Sequence, residues 1–92
     1  MELTRSIEVP NKHGLHARAS AALAGVANEF KKADVRIARG VEEEEVDAKS
    51  ILAILTLGVA KGELLYIRCS GEDAEKAMQA VVELVENKFG EE

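Results

Sequence analysis

Two histidines, His13 and His16, stand in the stretch Asn11-Lys12-His13-Gly14-Leu15-His16-Ala17-Arg18, where a strand-like pattern gives way to a helical one. Imidazole titrates near neutral pH, so a neutral ring nitrogen is available there as a nucleophile. A helix start presents unpaired backbone N–H groups and a partial positive charge, and such an end binds phosphate well. With His16 as the N-cap, the amides of Ala17 and Arg18 would face phosphoryl oxygens, and the Arg18 guanidinium would add mobile positive charge. A relay also requires exposure, because donor and acceptor must reach the same atom. It further requires only moderate stabilisation of the bound phosphate, which must leave again. The combination points to phosphoryl relay through His16 rather than to hydrolysis or metal chemistry.

The spacing of His13 and His16 raises metal binding as the competing reading. A tetrahedral zinc would need further ligands from elsewhere, since no Cys lies nearby and no Asp or Glu occurs between Pro10 and Val26. No metal and no cofactor is therefore expected. His13 is expected to be an exposed neighbour whose charge modulates His16.

The elements that must hold this loop can be read from periodicity. Residues 2–9 alternate, with Leu3, Ile7 and Val9 on one face and Arg5 interrupting it, which predicts a strand. Ala19, Ala22, Leu23, Val26, Ala27 and Phe30 predict an amphipathic helix over 17–30. A strand over 33–39 and a hairpin partner at about 44–48 flank a turn carrying Glu42 to Glu45. That glutamate run reads as a solvated, self-repelling loop. Ser50 as N-cap and Gly58 as terminator predict a short helix. A strand over 63–69 buries Leu65, Ile67 and Cys69. The final helix carries the stripe Ala74, Ala77, Met78, Val81, Leu84, Val85 and Phe89, with Ser70 and Asp73 as start signals and Gly90 past its end. The order β-α-β-β-α-β-α over residues 1–92 predicts a single α+β domain in two layers, helices covering one sheet face and leaving the other wet.

Composition narrows the function classes. The 92 residues carry a formal net charge of −5, which argues against general nucleic-acid binding. No apolar run approaches the ~20 residues of a spanning helix. Cys69 is the only cysteine, so no internal disulfide is possible, and its place in an apolar strand pattern makes a buried structural thiol the expectation. With no secretory pattern in the opening residues, a reducing cytoplasm is the expected compartment.

Gly14-Leu15-His16-Ala17-Arg18 resembles the active-site signature of the HPr family, the histidine-containing phosphocarriers of the bacterial phosphoenolpyruvate-dependent phosphotransferase system. Ala48-Lys49-Ser50-Ile51 with Thr56-Leu57-Gly58 resembles that family's short-helix region. Gly62 and Gly71-Glu72-Asp73-Ala74 resemble its last strand and the start of its final helix. The resemblance spans essentially the whole chain. It implies an HPr-like open-faced β-sandwich, a four-stranded antiparallel sheet covered on one face by three helices. It further implies a monomeric, stoichiometric carrier rather than an enzyme. His16 would accept a phosphoryl group on Nδ1 from phosphorylated enzyme I and pass it to a histidine of a IIA domain in a sugar or nitrogen branch.

Ser50 matches the family's regulatory serine, which an HPr kinase/phosphorylase modifies in many members, sometimes to engage a transcriptional regulator. A phosphate at this N-cap would be compatible with the helix amides and would add negative charge beside Ile51, Leu52 and Leu55. A structural reading makes Ser50 a cap worth about 1 kcal/mol. Ile51, Leu52, Ile54 and Leu55 cover nearly all sides of a short helix, so at least one of Ile51, Leu52 and Leu55 is expected to be exposed. With Lys49, these three form the expected partner-binding surface. The chain departs from the family in having Ala19 where many members have proline, and in a longer turn after Gly40. Two other functions compete with the carrier. One is a regulatory paralogue acting mainly through Ser50 and protein contacts; the other is a small domain binding a metabolite at the helix start.

Overall fold

A computed structural model describes residues 1–91. Four strands, β1 (Glu2–Glu8), β2 (Ala33–Ala38), β3 (Val46–Asp47) and β4 (Leu64–Gly71), form one sheet in the order β1-β4-β2-β3. Every pairing is antiparallel. Three helices, α1 (Ala17–Asn28), α2 (Ile51–Leu57) and α3 (Ala74–Glu86), complete the fold, and a 3-10 turn (Lys88–Gly90) follows α3. This is the α+β open-faced sandwich that the period-two and helical patterns predict.

The alternation in β4 dictates which face is covered. Leu65, Ile67 and Cys69 are fully buried, as are Val35 and Ile37 of β2, and they join Leu23, Ala27, Ala77, Val81 and Val85 of the helices in one core. Burial pushes the Cys69 thiol up to about 11, with the Asp34 charge adding to the shift, so it stays protonated at neutral pH. The other sheet face is polar. There Arg68 binds Glu45 through two of its nitrogens and Glu2 at 3.1 Å, tying the loop before β3 and the edge strand β1 to the central strand. Glu42, Glu43 and Glu44 are exposed as a solvated loop should be, but Glu45 is half-buried. Its role is to neutralise Arg68.

Several boundaries differ from expectation, each for a local reason. The buried stripe of α1 includes Ser20 and Ala24 in place of Ala22. Ser20 is tolerated because its hydroxyl donates to the Leu15 carbonyl at 3.1 Å. β3 has only two residues, although the Ala48 amide still donates to the Val35 carbonyl at 2.9 Å. Ser70 belongs to β4, and Asp73 caps α3 without a side-chain hydrogen bond. Phe89 does not continue α3. The helix ends at Glu86, and Phe89 reaches the core from the 3-10 turn with φ +56°. Among the described residues, no helix is long and apolar enough to cross a membrane.

Candidate functional site

The loop between β1 and α1 is held from behind by a glycine that no other residue could replace without strain. Gly14 has φ +61°, and a Cβ there would lie 2.5 Å from the Val59 carbonyl oxygen. That close approach lets the next amide, of Leu15, donate to the same oxygen at 2.9 Å. Leu15 is buried, and the chain then turns outward so that His16 becomes the N-cap of α1. Six alanines in α1 keep it strongly helical despite the missing proline, so Ala19 leaves the first turn formed.

His16 is partly exposed, and its Nδ1 accepts the Arg18 amide at 3.3 Å, in the manner of a capping oxygen. Its other nitrogen, Nε2, lies 2.5 Å from Oε2 of Glu91 as a close ion-pair contact, and among the described residues neither atom has a hydrogen-bond partner of good geometry. Glu91 is itself steered by Asn11, whose amide nitrogen donates to Oε1 at 2.9 Å and to the Gly14 carbonyl at 2.8 Å. Burial acts to raise the Glu91 carboxyl, but the Asn11 amide, His16 and Arg18 outweigh it and hold the group below the usual carboxylate range. His13 stands edge-on to His16, with ring centroids 5.6 Å apart. Lys12, His13, His16, Arg18 and Glu91 line an open cleft of about 330 Å³. A tetrahedral anion entering it would meet the α1 amides and the Arg18 side chain with an imidazole nitrogen in reach.

His16, Ala17 and Arg18 thus share one site, with His13 beside it. Ser50 does not share it. Asn28, at the far end of α1, donates to the Lys49 carbonyl at 3.0 Å, so the start of α2 lies about 18 Å of helix away from His16. Ser50 caps α2 by accepting the Ala53 amide at 3.2 Å. Lys49 is not available as expected, because its ammonium turns inward and donates to the Phe30 and Ala33 carbonyls at 3.0 and 2.6 Å. The Phe30 carbonyl also accepts the Ala33 amide at 3.1 Å, so Lys49 adds a charged donor where α1 gives way to β2. Ile54 is buried, while Ile51, Leu52 and Leu55 are all exposed, Leu52 most at 77%.

Sequence reasoning missed Asn11, Ser20, the Val59 carbonyl and Glu91. Asn11 is a fully buried amide in a loop, and a polar residue three before a required glycine was the only available hint. Nothing in the local pattern links Glu91 to residue 16.

Sheet order, one-sided helical cover and a histidine capping the first helix are the features of small α+β phosphoryl-carrier domains. The family model described as "PTS HPr component phosphorylation site" matches residues 3–87. The phosphocarrier protein HPr of Pseudomonas aeruginosa is 44% identical over 85 residues, 92% of each chain. That of Xylella fastidiosa is 40% identical over 90 residues, 98% of each chain. The crystal structure of HPr-C-His from Thermoanaerobacter tengcongensis superposes with a TM-score of 0.88 at 39% identity, covering 98% of both chains. The chain belongs to the HPr family of phosphocarrier proteins of the phosphotransferase system.

Proposed function

We propose that His16 is the carrier residue, taking a phosphoryl group on Nδ1 from phosphorylated enzyme I and passing it to a histidine of a IIA domain. The chain is then a stoichiometric carrier acting as a cytoplasmic monomer, in a sugar or nitrogen branch. The observation that carries this reading is the orientation of His16: Nδ1 faces the Arg18 amide at the start of α1. A phosphoryl group on that nitrogen would exchange one weak capping bond for several charge-assisted ones to amides and guanidinium. The exposed Ile51, Leu52 and Leu55 supply an apolar docking surface for both partners. Lys49, turned inward, is left out of it.

Ser50 is carried along as a regulatory modification site for an HPr kinase/phosphorylase. The support for this is its place at the edge of the exposed α2 surface. Its separation from His16 means that phosphate there would act on docking rather than on the phosphoryl-bearing atom. Incubation with purified enzyme I and phosphoenolpyruvate should give an acid-labile phosphoprotein, and His16→Ala should abolish the label. Label that persists in His16→Ala, mapped to His13 or elsewhere, would overturn the assignment.

A further inference from the structure

We infer that Glu91 is a positioning residue for His16: it holds a proton on Nε2, leaves Nδ1 as the nucleophile, and keeps the phosphoryl group transferable. The inference rests on the carrier reading above and adds a residue outside the stretch 3–87 that the family model matches.

The two ring nitrogens face chemically opposite partners. Nδ1 receives an N–H, from the Arg18 amide, so it presents a lone pair. Nε2 faces a carboxylate oxygen at 2.5 Å, which can only accept, so it presents the hydrogen. The partners on either side of an imidazole select its tautomer, and here they select the one with Nδ1 free to attack. Among the described residues, the other groups lining the cleft with the ring are Lys12, His13 and Arg18 on the loop and α1, and Glu91 on the tail. Among the described residues, Glu91 is the only carboxylate lining the cleft.

The tail is built to deliver that carboxylate. Lys88 and Phe89 both have φ +56°, a conformation unfavourable for residues with a Cβ, and it persists only where the surroundings impose it. Phe89 is buried in the core, and Asn11 fixes Oε1 of Glu91. The strained turn therefore lies between an apolar anchor and a hydrogen-bonded carboxylate.

The consequence for transfer follows from electron and proton balance. When Nδ1 attacks phosphorus, a P–N bond forms, the donor's bond to phosphorus breaks, and the donor keeps that bonding pair. The ring becomes cationic, with its Nε2 proton balanced by the Glu91 carboxylate. When an acceptor nucleophile later takes the phosphoryl group, the P–N pair returns to Nδ1 and the ring leaves as neutral imidazole. Without the Nε2 proton it would have to leave as an imidazolate, a far poorer leaving group.

Glu91→Ala and Glu91→Gln, compared with the parent chain, test this. Nitrogen NMR of the unphosphorylated proteins, at a pH where the ring is neutral, should show the Nε2–H tautomer dominant in the parent and diminished in both variants. Phosphoryl uptake from phosphorylated enzyme I, and its passage to a IIA domain, should each slow about tenfold or more, the range for removing a carboxylate that orients a functional histidine. Midpoints of urea unfolding should remain close to the parent's, which separates positioning from a merely structural role. An unchanged tautomer ratio overturns the inference, as does a shifted ratio with unchanged rates. If the parent itself takes no phosphoryl group, the carrier reading fails, while the tautomer measurement still decides what Glu91 does to His16.

Discussion

Replacing Gly14 with alanine should damage both the stability of the chain and the chemistry of His16. The new Cβ would lie 2.5 Å from the Val59 oxygen and 2.9 Å from Cα of Ala60, both backbone atoms that cannot simply swing aside. Holding alanine at φ +61° costs about 1–2 kcal/mol. Moving the loop away sacrifices the hydrogen bond from the Leu15 amide to Val59, and a buried amide left without a partner costs about 1–3 kcal/mol. Together these remove about 2–5 kcal/mol, a large share of the stability of a small domain. The thermal midpoint should fall by about 10 °C or more. His16 sits two residues further on, and displacement of a reacting group by ~1 Å can cost about a hundredfold in rate. Gly25→Ala supplies the control, since a Cβ there meets nothing within 4 Å. It lies inside α1, where alanine should stabilise by about 0.5–1 kcal/mol. Calorimetry and urea unfolding measure the first effect, and enzyme I labelling at limiting donor measures the second. If Gly14→Ala unfolds within about 0.5 kcal/mol of the parent and labels at the same rate, the loop does not position the helix start as described.

Glu45→Gln should cost about 0.5–1 kcal/mol at neutral pH, less at high salt, because the pair with Arg68 is partly solvated. Its pH dependence has a definite sign. The Arg68 hydrogen bond is the main cause holding the Glu45 carboxyl below its ordinary value. The unfolded chain therefore takes up this proton at higher pH than the folded one. The pair's contribution is present above the unfolded carboxylate pKa and is lost as pH falls through the lower folded value. Urea titrations between neutral and acidic pH should show a shallower acid limb in the variant; equal slopes would refute the assignment. Leu52→Ala should leave stability nearly unchanged, since that side chain is exposed, while weakening binding of enzyme I by about tenfold if it anchors docking. Calorimetric titration with enzyme I checks this, and an unaltered affinity would remove Leu52 from the docking surface.

Elements with strong local signals were legible in the chain. β4 alternates strictly, and burial on the two sides of a strand repeats every second residue, so its covered face could be read directly. Ser50 and Gly58 bound α2 because capping depends on residues within a turn of the helix end. The buried face of α1 was harder to read. In an alanine-rich helix the hydrophobic contrast is weak, so Ser20 and Ala24 could turn inward without leaving a periodic trace. Phe89 matched the spacing of the α3 stripe, yet it reaches the core by a left-handed turn after the helix has ended.

The same division holds at the site. His16, Gly14 and Arg18 lie within a few residues of each other, and the chemistry of a helix start depends on that local arrangement alone, so the sequence determined the proposed carrier histidine and its place at the start of α1. Only the tertiary structure decided what stands on the other side of the ring. Glu91 is 75 positions away and reaches His16 because α3 returns across the sheet and Phe89 anchors the tail. It likewise decided that Lys49 faces inward and that Ser50 lies a helix length from the site. Contacts between distant segments are set by how whole elements pack, which no pattern within a few turns of chain encodes.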